Sequence, residues 1–111
     1  MDQDLTTPSV VSERKDEVQL VDVRERDEWD RGHIEGSLHI PLNVLMSGRS
    51  EGLDPDKPIV TVCHSGARSE VAAMMLEARG HRAHNLEGGL LAWYREGLHL
   101  VTPDGAPGRP E

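Results

Sequence analysis

The sequence predicts an α/β fold built on a parallel sheet, and three observations support this. Short apolar runs alternate along the chain with segments of helical periodicity, the order that parallel strands require. The run Ile59–Val62 is wholly β-branched and lacks apolar/polar alternation, as expected of a strand covered on both faces. After Ser69, apolar residues recur at steps of three and four as far as Ala78, which predicts a helix that ends at Gly80.

The other elements follow from local patterns taken in chain order. Thr6–Pro8 is typical of a helix start, and we expect a short helix through about Lys15, with Leu5 in a short edge strand before it. Gln19–Val23 is predicted to be a central strand. The remaining predicted elements are an exposed turn or short helix at Arg26–Arg31, a turn at Gly32–Gly36, a strand at Ser37–Ile40, a brief helix at Leu42–Met46, a polar loop at Gly48–Lys57, a strand at Arg82–Leu86, and a closing helix from Leu90 to near Gly97.

The loop between the strand Ile59–Val62 and the following helix is where the sequence predicts chemistry. It contains Cys63, His64, Ser65, Gly66, Ala67 and Arg68. Its successive amide N–H groups can curl around an anion at the helix N-terminus, and such surroundings lower a thiol pKa from about 8.5 by one to several units. A lone cysteine is more often a small buried hydrophobe. The order of strand, glycine-bearing loop, arginine and helix instead favours a nucleophile.

Charge and composition exclude several classes of partner. The chain has 111 residues, which suits one domain, and 20 acidic against 12 basic residues give a net charge of −8. Such a surface repels phosphate backbones and anionic lipid, so we expect no nucleic-acid partner and no membrane partner. Met1–Asp4 has neither a basic region nor an apolar region of a signal peptide, and we predict a cytoplasmic protein.

Cysteine usage and motif content limit the cofactors. One cysteine excludes an intramolecular disulfide, a Cys-x-x-Cys redox pair and a multi-cysteine zinc site. The histidines show no metal-ligand spacing, and the chain has neither G-x-G-x-x-G nor a Walker loop. We therefore expect no metal and no other cofactor. Residues 103–111 are too poor in apolar side chains to offset ordering entropy, which predicts a domain at 1–102 and a disordered C-terminal tail.

Four ordered segments resemble the signatures of a rhodanese domain, and the resemblance extends from Leu5 to about Val101. They are VDVRERDEW (Val21–Trp29), GHIEGSLHIPL (Gly32–Leu42), CHSGARS (Cys63–Ser69) and NLEGGLLAW (Asn85–Trp93). The resemblance implies a three-layer α/β fold with a five-stranded parallel sheet flanked by helices. It also implies a single-domain thiosulfate sulfurtransferase.

The implied reaction is ping-pong transfer of sulfane sulfur. Cys63 would attack the outer sulfur of thiosulfate or of a persulfide donor, hold that sulfur as a persulfide, and pass it to cyanide or a thiol. The partners implied are a small-molecule sulfur donor and a thiol or cyanide acceptor. Thiosulfate, a persulfide of a small thiol and a protein partner would all suit the same loop, so a protein acceptor stays open.

The resemblance also assigns roles to individual residues. Cys63 is the implied nucleophile. The residues implied to bind substrate are His64, Ser65, Gly66, Ala67 and Arg68. His64 stands where many active members carry arginine, which bears on thiosulfate affinity and not on the chemistry. Asp22 and Arg24 match a D-x-R motif that braces the loop and its neighbours, and Ser69 supports the loop as well. Trp29 and Trp93 are predicted to be core residues.

Two other functions are weighed against sulfur transfer. Phosphatases of similar fold carry five residues between cysteine and arginine, whereas this chain has four, from His64 to Ala67. The smaller cradle suits the terminal sulfur of a persulfide better than a phosphoryl or arsenate group. A non-catalytic sulfur-carrier or regulatory binding module is the third reading, but such modules usually lack the cysteine that this chain keeps. A sulfur-transfer assay separates the three.

Overall fold

The computed structural model of the chain describes residues 4–49 and 52–111. In those ranges the helices are α1 (Pro8–Glu13), α2 (Arg26–Arg31), α3 (Leu42–Met46), α4 (Ala67–Ala78) and α5 (Gly89–Arg95), and the strands are β1 (Gln19–Asp22), β2 (Leu38–His39), β3 (Ile59–Val62) and β4 (Ala83–Asn85). A 3₁₀ turn at Lys15–Glu17 joins α1 to β1. Residues 1–3, used in the argument about a signal peptide, and positions 50 and 51 of the predicted polar loop lie outside the described residues.

The strands form one parallel sheet in the order β2-β1-β3-β4. Leu20 of β1 lies opposite Val60 of β3, and Val21 lies opposite Leu38 of β2. The central strands β1 and β3 are the two most apolar runs, because strands with neighbours on both sides are covered most completely. The predicted parallel α/β architecture is confirmed. None of the helices in the described ranges has the length and apolar character needed to cross a membrane.

The sheet has four strands in the described residues and not the five predicted, because the segment at Leu5 does not form a strand. The Asp4 carboxylate accepts hydrogen bonds from the amides of Thr6 and Thr7, at 2.9 and 3.1 Å, and so turns the chain immediately. The amide of Glu87 donates to the Thr6 carbonyl at 2.8 Å. This hydrogen bond joins the N-terminal segment to the turn after β4, but it is not part of a strand pairing. Leu5 is nevertheless buried in the core.

Side-chain alternation along the central strands divides the core into two layers, one on each face of the sheet. The first layer packs against α1 and α5 and contains Leu5, Val11, Val18, Leu20, Ile34, Val60, Val62, Leu86, Leu90, Trp93 and Leu100. The second packs against α3 and α4 and contains Val21, Val23, Leu45, Ile59, Cys63, Ala72 and Leu76. The three-layer prediction is confirmed, and Cys63 belongs to the layer under α4.

The two tryptophans differ in environment. Trp93 is 2% exposed and lies in the first core layer, as predicted. Trp29 is only half-buried and belongs to neither layer, so its assignment to the core is wrong. Its indole is stacked with two imidazoles, with ring centroids 3.5 Å from His33 and 4.8 Å from His39. The ring therefore packs against polar aromatic side chains outside the two core layers.

Residues 103–111 pack against the domain, which differs from the disordered tail predicted from their composition. The amide of Arg109 donates to the carbonyl of Arg31 at 2.9 Å. A Cβ atom placed on Gly108 would lie 2.6 Å from the Cα of Gly32, so only glycine permits this approach. Composition underestimates the order of this segment because backbone hydrogen bonds and a close glycine contact help to hold it in place, and of its apolar side chains only Pro110 is buried.

Candidate active site

Cys63 follows β3 directly and is 1% exposed. In the register of the sheet, Val62 of β3 lies opposite Asp22 of β1, so both strands end at the same edge. In open α/β sheets this carboxyl edge is where ligands bind. The predicted nucleophile and the predicted D-x-R motif therefore lie side by side at that edge.

The loop after Cys63 is shorter than predicted. Gly66 has φ +113°, a conformation that favours glycine, and α4 begins at the next residue. Ala67 and Arg68, predicted to lie in the loop, therefore form the first turn of α4. The left-handed conformation of Gly66 turns the chain directly into α4. The sulfur of Cys63 therefore lies at the N-terminal end of that helix.

The Cys63 sulfur accepts hydrogen bonds from three polar groups. The amide of Gly66 lies 3.1 Å from Sγ, the amide of Ser69 lies 3.4 Å from it, and the Ser69 hydroxyl lies 3.2 Å from it. These groups point at the sulfur because the first helical turn leaves its N–H groups without carbonyl partners. The cradle predicted from the sequence is thus centred on the cysteine itself.

Two opposing influences act on the Cys63 thiol. Burial is the largest single influence and raises its pKa, because it disfavours the thiolate. Hydrogen bonds from the Ser69 hydroxyl and from the amides of Ser69, Gly66 and Ser65 act in the other direction. Together they outweigh burial, so the pKa of the Cys63 thiol lies below its ordinary value. The thiolate is the nucleophilic form of a cysteine.

Asn85, at the end of β4, is a site residue that sequence reasoning missed. Its Oδ1 accepts a hydrogen bond from the Ser69 hydroxyl at 2.5 Å, and its Nδ2 donates to the Gly66 carbonyl at 3.0 Å. The Ser69 hydroxyl has one proton, so Cys63, Asn85 and the Gly66 carbonyl, which lies 3.2 Å away, compete for it. Asn85 could have been found from the sequence as a polar residue that ends a strand near the cysteine strand.

Thr61 and Gly89 hold the loop from two sides. The Thr61 hydroxyl is fully buried and donates to the Ser69 carbonyl at 2.7 Å, which ties the first turn of α4 to β3. On the other side, the amide of Leu90 donates to the Cys63 carbonyl at 2.9 Å. A Cβ atom at Gly89 would lie 2.5 Å from the carbonyl oxygens of Cys63 and His64, so α5 reaches the loop only because a glycine stands there.

Arg68 reaches across the site to α2, where Glu28 holds its guanidinium. Nη1 and Nη2 donate to the two carboxylate oxygens of Glu28, each at 2.8 Å. Sequence reasoning assigned Arg68 to substrate binding and did not single out Glu28. The available signal was the capping box that starts α2, in which the Glu28 carboxylate also accepts from the amide of Glu25 at 3.0 Å.

Asp22 and Arg24 form a buried ion pair at the same edge. Arg24 donates to both carboxylate oxygens of Asp22, and its Nη2 donates to the Gly32 carbonyl at 2.6 Å. Its Nη1 donates to the backbone oxygen of Glu111 at 3.1 Å. The motif therefore braces the turn at Gly32 and the C-terminal segment by hydrogen bonds. Its predicted support of the cysteine loop stays a prediction.

The other predicted binding residues border the opening of the loop. His64 is half-buried, and within the described residues its imidazole makes no hydrogen bond. Ser65 and Ala67 are exposed. Across the part of the chain that the structure describes, no three His, Cys, Asp or Glu side chains are grouped as a metal site would need. The chemistry available here is that of a thiolate held by polar hydrogens.

These features define a class of protein: a parallel α/β domain with a cysteine at the end of a central strand, cradled by the start of the next helix. The chain belongs to the rhodanese-like domain family, whose model matches residues 7–96. The family resemblance of the four sequence segments is thereby confirmed.

Relatives and solved structures agree with this assignment. The chain is 40% identical over 91 residues to a sulfurtransferase of Allochromatium vinosum, an alignment that covers 81% of this chain and 84% of that protein. It is 35% identical to the thiosulfate sulfurtransferase GlpE of Shewanella oneidensis, covering 69% of this chain and 76% of that protein. The crystal structure of a rhodanese-related protein from Thermoplasma volcanium matches with a TM-score of 0.78 and 31% identity, covering 86% of this chain and 94% of that one.

Proposed function

We propose that this protein transfers sulfane sulfur from thiosulfate or a persulfide donor to a thiol or cyanide through a persulfide on Cys63. The observation that carries the proposal is the set of three hydrogen bonds that the Cys63 sulfur accepts at the start of α4. They favour the thiolate before a donor arrives, and they remain available to stabilise negative charge when the sulfur is loaded. The sulfurtransferase class of the family supports the same reading.

The reaction divides into two nucleophilic displacements. The Cys63 thiolate attacks the outer sulfur of the donor, a new S–S bond forms, and the electrons of the broken S–S bond leave with sulfite or with the donor thiolate. The acceptor then attacks the terminal sulfur of the persulfide, and the electrons of that bond return to the Cys63 sulfur. No external oxidant or reductant is needed, because one S–S bond is exchanged for another or for an S–C bond to cyanide.

Phosphoryl or arsenate transfer is less compatible with this arrangement. Those reactions need free N–H groups and a cation around three oxygens. Here the amides of Gly66 and Ser69 already point at the cysteine sulfur, and Glu28 binds the Arg68 guanidinium. Donor, acceptor and cytoplasmic location stay predictions, and a protein acceptor remains part of the proposal.

Intact-mass spectrometry with thiosulfate or a small-thiol persulfide tests the proposal directly. The wild-type protein is expected to gain the mass of one sulfur atom, which cyanide then removes. Cys63→Ser is expected to keep its fold, because the change hardly alters volume, and to lose sulfur transfer by at least about 10³-fold.

Thermal melting of the Cys63→Ser variant controls for its folding. Sulfur transfer above background by the folded variant would assign the chemistry to another group, since the chain has no second cysteine.

A further inference from the structure

The Arg68 guanidinium is not a free cation in this site. It forms a two-point ion pair with Glu28, with both N–O distances at 2.8 Å. The Arg68 side chain is 38% exposed and the Glu28 side chain is 19% exposed, so the pair borders the opening above Cys63 and is not part of the core. The two residues are 40 positions apart in the sequence and meet because α2 and α4 both begin at the carboxyl edge of the sheet.

Both partners of this pair are charged across the range in which enzymes are assayed. The hydrogen bond from Arg68 is the largest cause that lowers the pKa of Glu28, to about 2, and the same hydrogen bond raises the pKa of Arg68. Cys63 also raises the pKa of Arg68, by a smaller electrostatic effect. The guanidinium is therefore within electrostatic reach of the reacting sulfur, but Glu28 cancels its charge there.

No second cation replaces it among the described residues that border Cys63. Arg24 is 0% exposed and is bound to Asp22. The residue beside the cysteine is His64, and not an arginine or a lysine. The whole chain has a net charge of −8. The site therefore offers no net electrostatic attraction to a sulfur donor that carries two negative charges.

We propose that Glu28 is a specificity-determining residue that holds Arg68 in a neutral pair and so selects a thiol persulfide over thiosulfate as sulfur donor. This inference rests on the proposed sulfur transfer. Thiosulfate carries two negative charges next to the reacting bond, whereas a persulfide R–S–SH carries none there, or one when ionised. Cys63 attacks the outer sulfur of R–S–SH, the S–S bond breaks, and its electrons leave with R–S⁻, while the proton stays on the transferred sulfur.

The test compares Glu28→Gln with a matched variant on the same helix. Glutamine removes the carboxylate charge and leaves Arg68 with an uncompensated cation. For thiosulfate, KM is expected to fall about tenfold, with kcat within about twofold. For the persulfide of 2-mercaptoethanol, generated in situ, both parameters are expected to stay within about twofold, because its neutral form has little to gain from the released charge.

Asp27→Asn is the control, because it removes the same unit of charge from α2 without touching Arg68. The Asp27 side chain is 69% exposed and lies 3.8 Å from Arg31. Its KM for thiosulfate is expected to change by less than about twofold. If KM for thiosulfate falls equally in both variants, the net charge of the protein, and not the pair with Arg68, sets donor affinity. If KM for thiosulfate rises or does not change in Glu28→Gln, the proposal is overturned.

A double variant distinguishes charge from mere support. Arg68→Met leaves Glu28 unpaired and is expected to raise KM for thiosulfate, whereas Glu28→Gln with Arg68→Met restores a neutral site and returns KM close to wild type. If both single variants weaken thiosulfate binding, the pair acts as a brace and the inference is wrong. Intact mass is recorded for each protein. If even the wild type takes up no sulfur from either donor, the proposed function itself has failed and this inference falls with it.

Discussion

Two arginine–carboxylate pairs lie at one edge of the sheet, and they differ in burial. The Arg24–Asp22 pair joins neighbouring residues at the end of β1, and its side chains are 0% and 1% exposed. The Arg68–Glu28 pair joins two helices, and its side chains are 38% and 19% exposed. In both pairs one guanidinium donates to both oxygens of one carboxylate.

The comparison separates a structural pair from a functional one. Arg24 also donates to the carbonyl of Gly32 and to the backbone oxygen of Glu111, so its donors are occupied by the protein. Arg68, in the described residues, donates only to Glu28 and keeps one side toward solvent. A buried pair cannot be broken without leaving an unpaired charge in the core, whereas a half-exposed pair can exchange its partner for water or a ligand. The proposed role in donor selection therefore lies with the exposed pair.

The largest effect expected from this comparison is on stability. Arg24→Met leaves the Asp22 carboxylate buried without its partner and is expected to lower the free energy of unfolding by about 3–5 kcal/mol. Arg68→Met is expected to lower it by at most about 1 kcal/mol, since solvent screens the exposed pair. Urea unfolding of both variants measures the difference, and equal losses would contradict the distinction.

A double substitution checks the reason for that loss. Arg24→Met combined with Asp22→Leu removes both charges and is expected to recover part of the stability lost in the single variant, because no uncompensated charge stays buried. If the double variant loses as much free energy of unfolding as the two single variants added together, packing, and not charge burial, dominates at this position.

A smaller effect concerns the Cys63 thiolate. If Glu28 cancels the charge of Arg68, the hydrogen bonds from Ser69 should stabilise the thiolate more than the arginine does. Ser69→Ala removes the hydroxyl donor, a charge-assisted bond of about 1.5–3 kcal/mol, and is expected to raise the pH at which iodoacetamide reacts half-maximally with Cys63.

Arg68→Met is the comparison for that measurement, and its profile is expected to shift less. The idea of a cancelled charge would be wrong if the arginine variant moved the profile further than the serine variant did.

The smallest effect is the pH dependence of the exposed pair. The pKa of Glu28 falls from its ordinary 4.5 to about 2, so the carboxylate contributes stability that is fully present above pH 4.5 and lost as pH falls toward 2. After discounting for solvent screening, Glu28→Gln is expected to cost about 1 kcal/mol at pH 7. Urea midpoints at pH 7 and pH 2.5 should show the gap between wild type and variant closing, and a gap that is constant with pH would refute this account.

Several features of the fold could be predicted from local patterns alone. The β-branched run Ile59–Val62 predicted a strand covered on both faces, and β3 has those bounds and is buried throughout. The spacing of apolar residues up to Ala78 predicted the end of α4. These predictions were right because strand and helix periods depend on neighbouring residues, and a covered strand must be apolar on both sides.

Other features of the fold depended on particular hydrogen bonds and close contacts that the local patterns do not show. The strand predicted at Leu5 does not form, since the Asp4 side chain binds the amides that a strand would extend. Residues 103–111 are ordered by backbone hydrogen bonds and by a close approach of Gly108 to Gly32. Composition and local pattern reflect the apolar content of a segment and not the hydrogen bonds that its backbone amides form. They could therefore anticipate neither the missing strand at Leu5 nor the order of residues 103–111.

The site divides in the same way. The sequence by itself determined the family, the position of Cys63 at a strand end and the presence of an arginine between that strand and the body of the next helix. Only the tertiary structure decided that Glu28 binds that arginine and that Asn85 competes for the Ser69 proton. The physical reason is that electrostatic and hydrogen-bond energies depend on distances of a few ångströms, and the folded chain sets those distances between residues far apart in sequence.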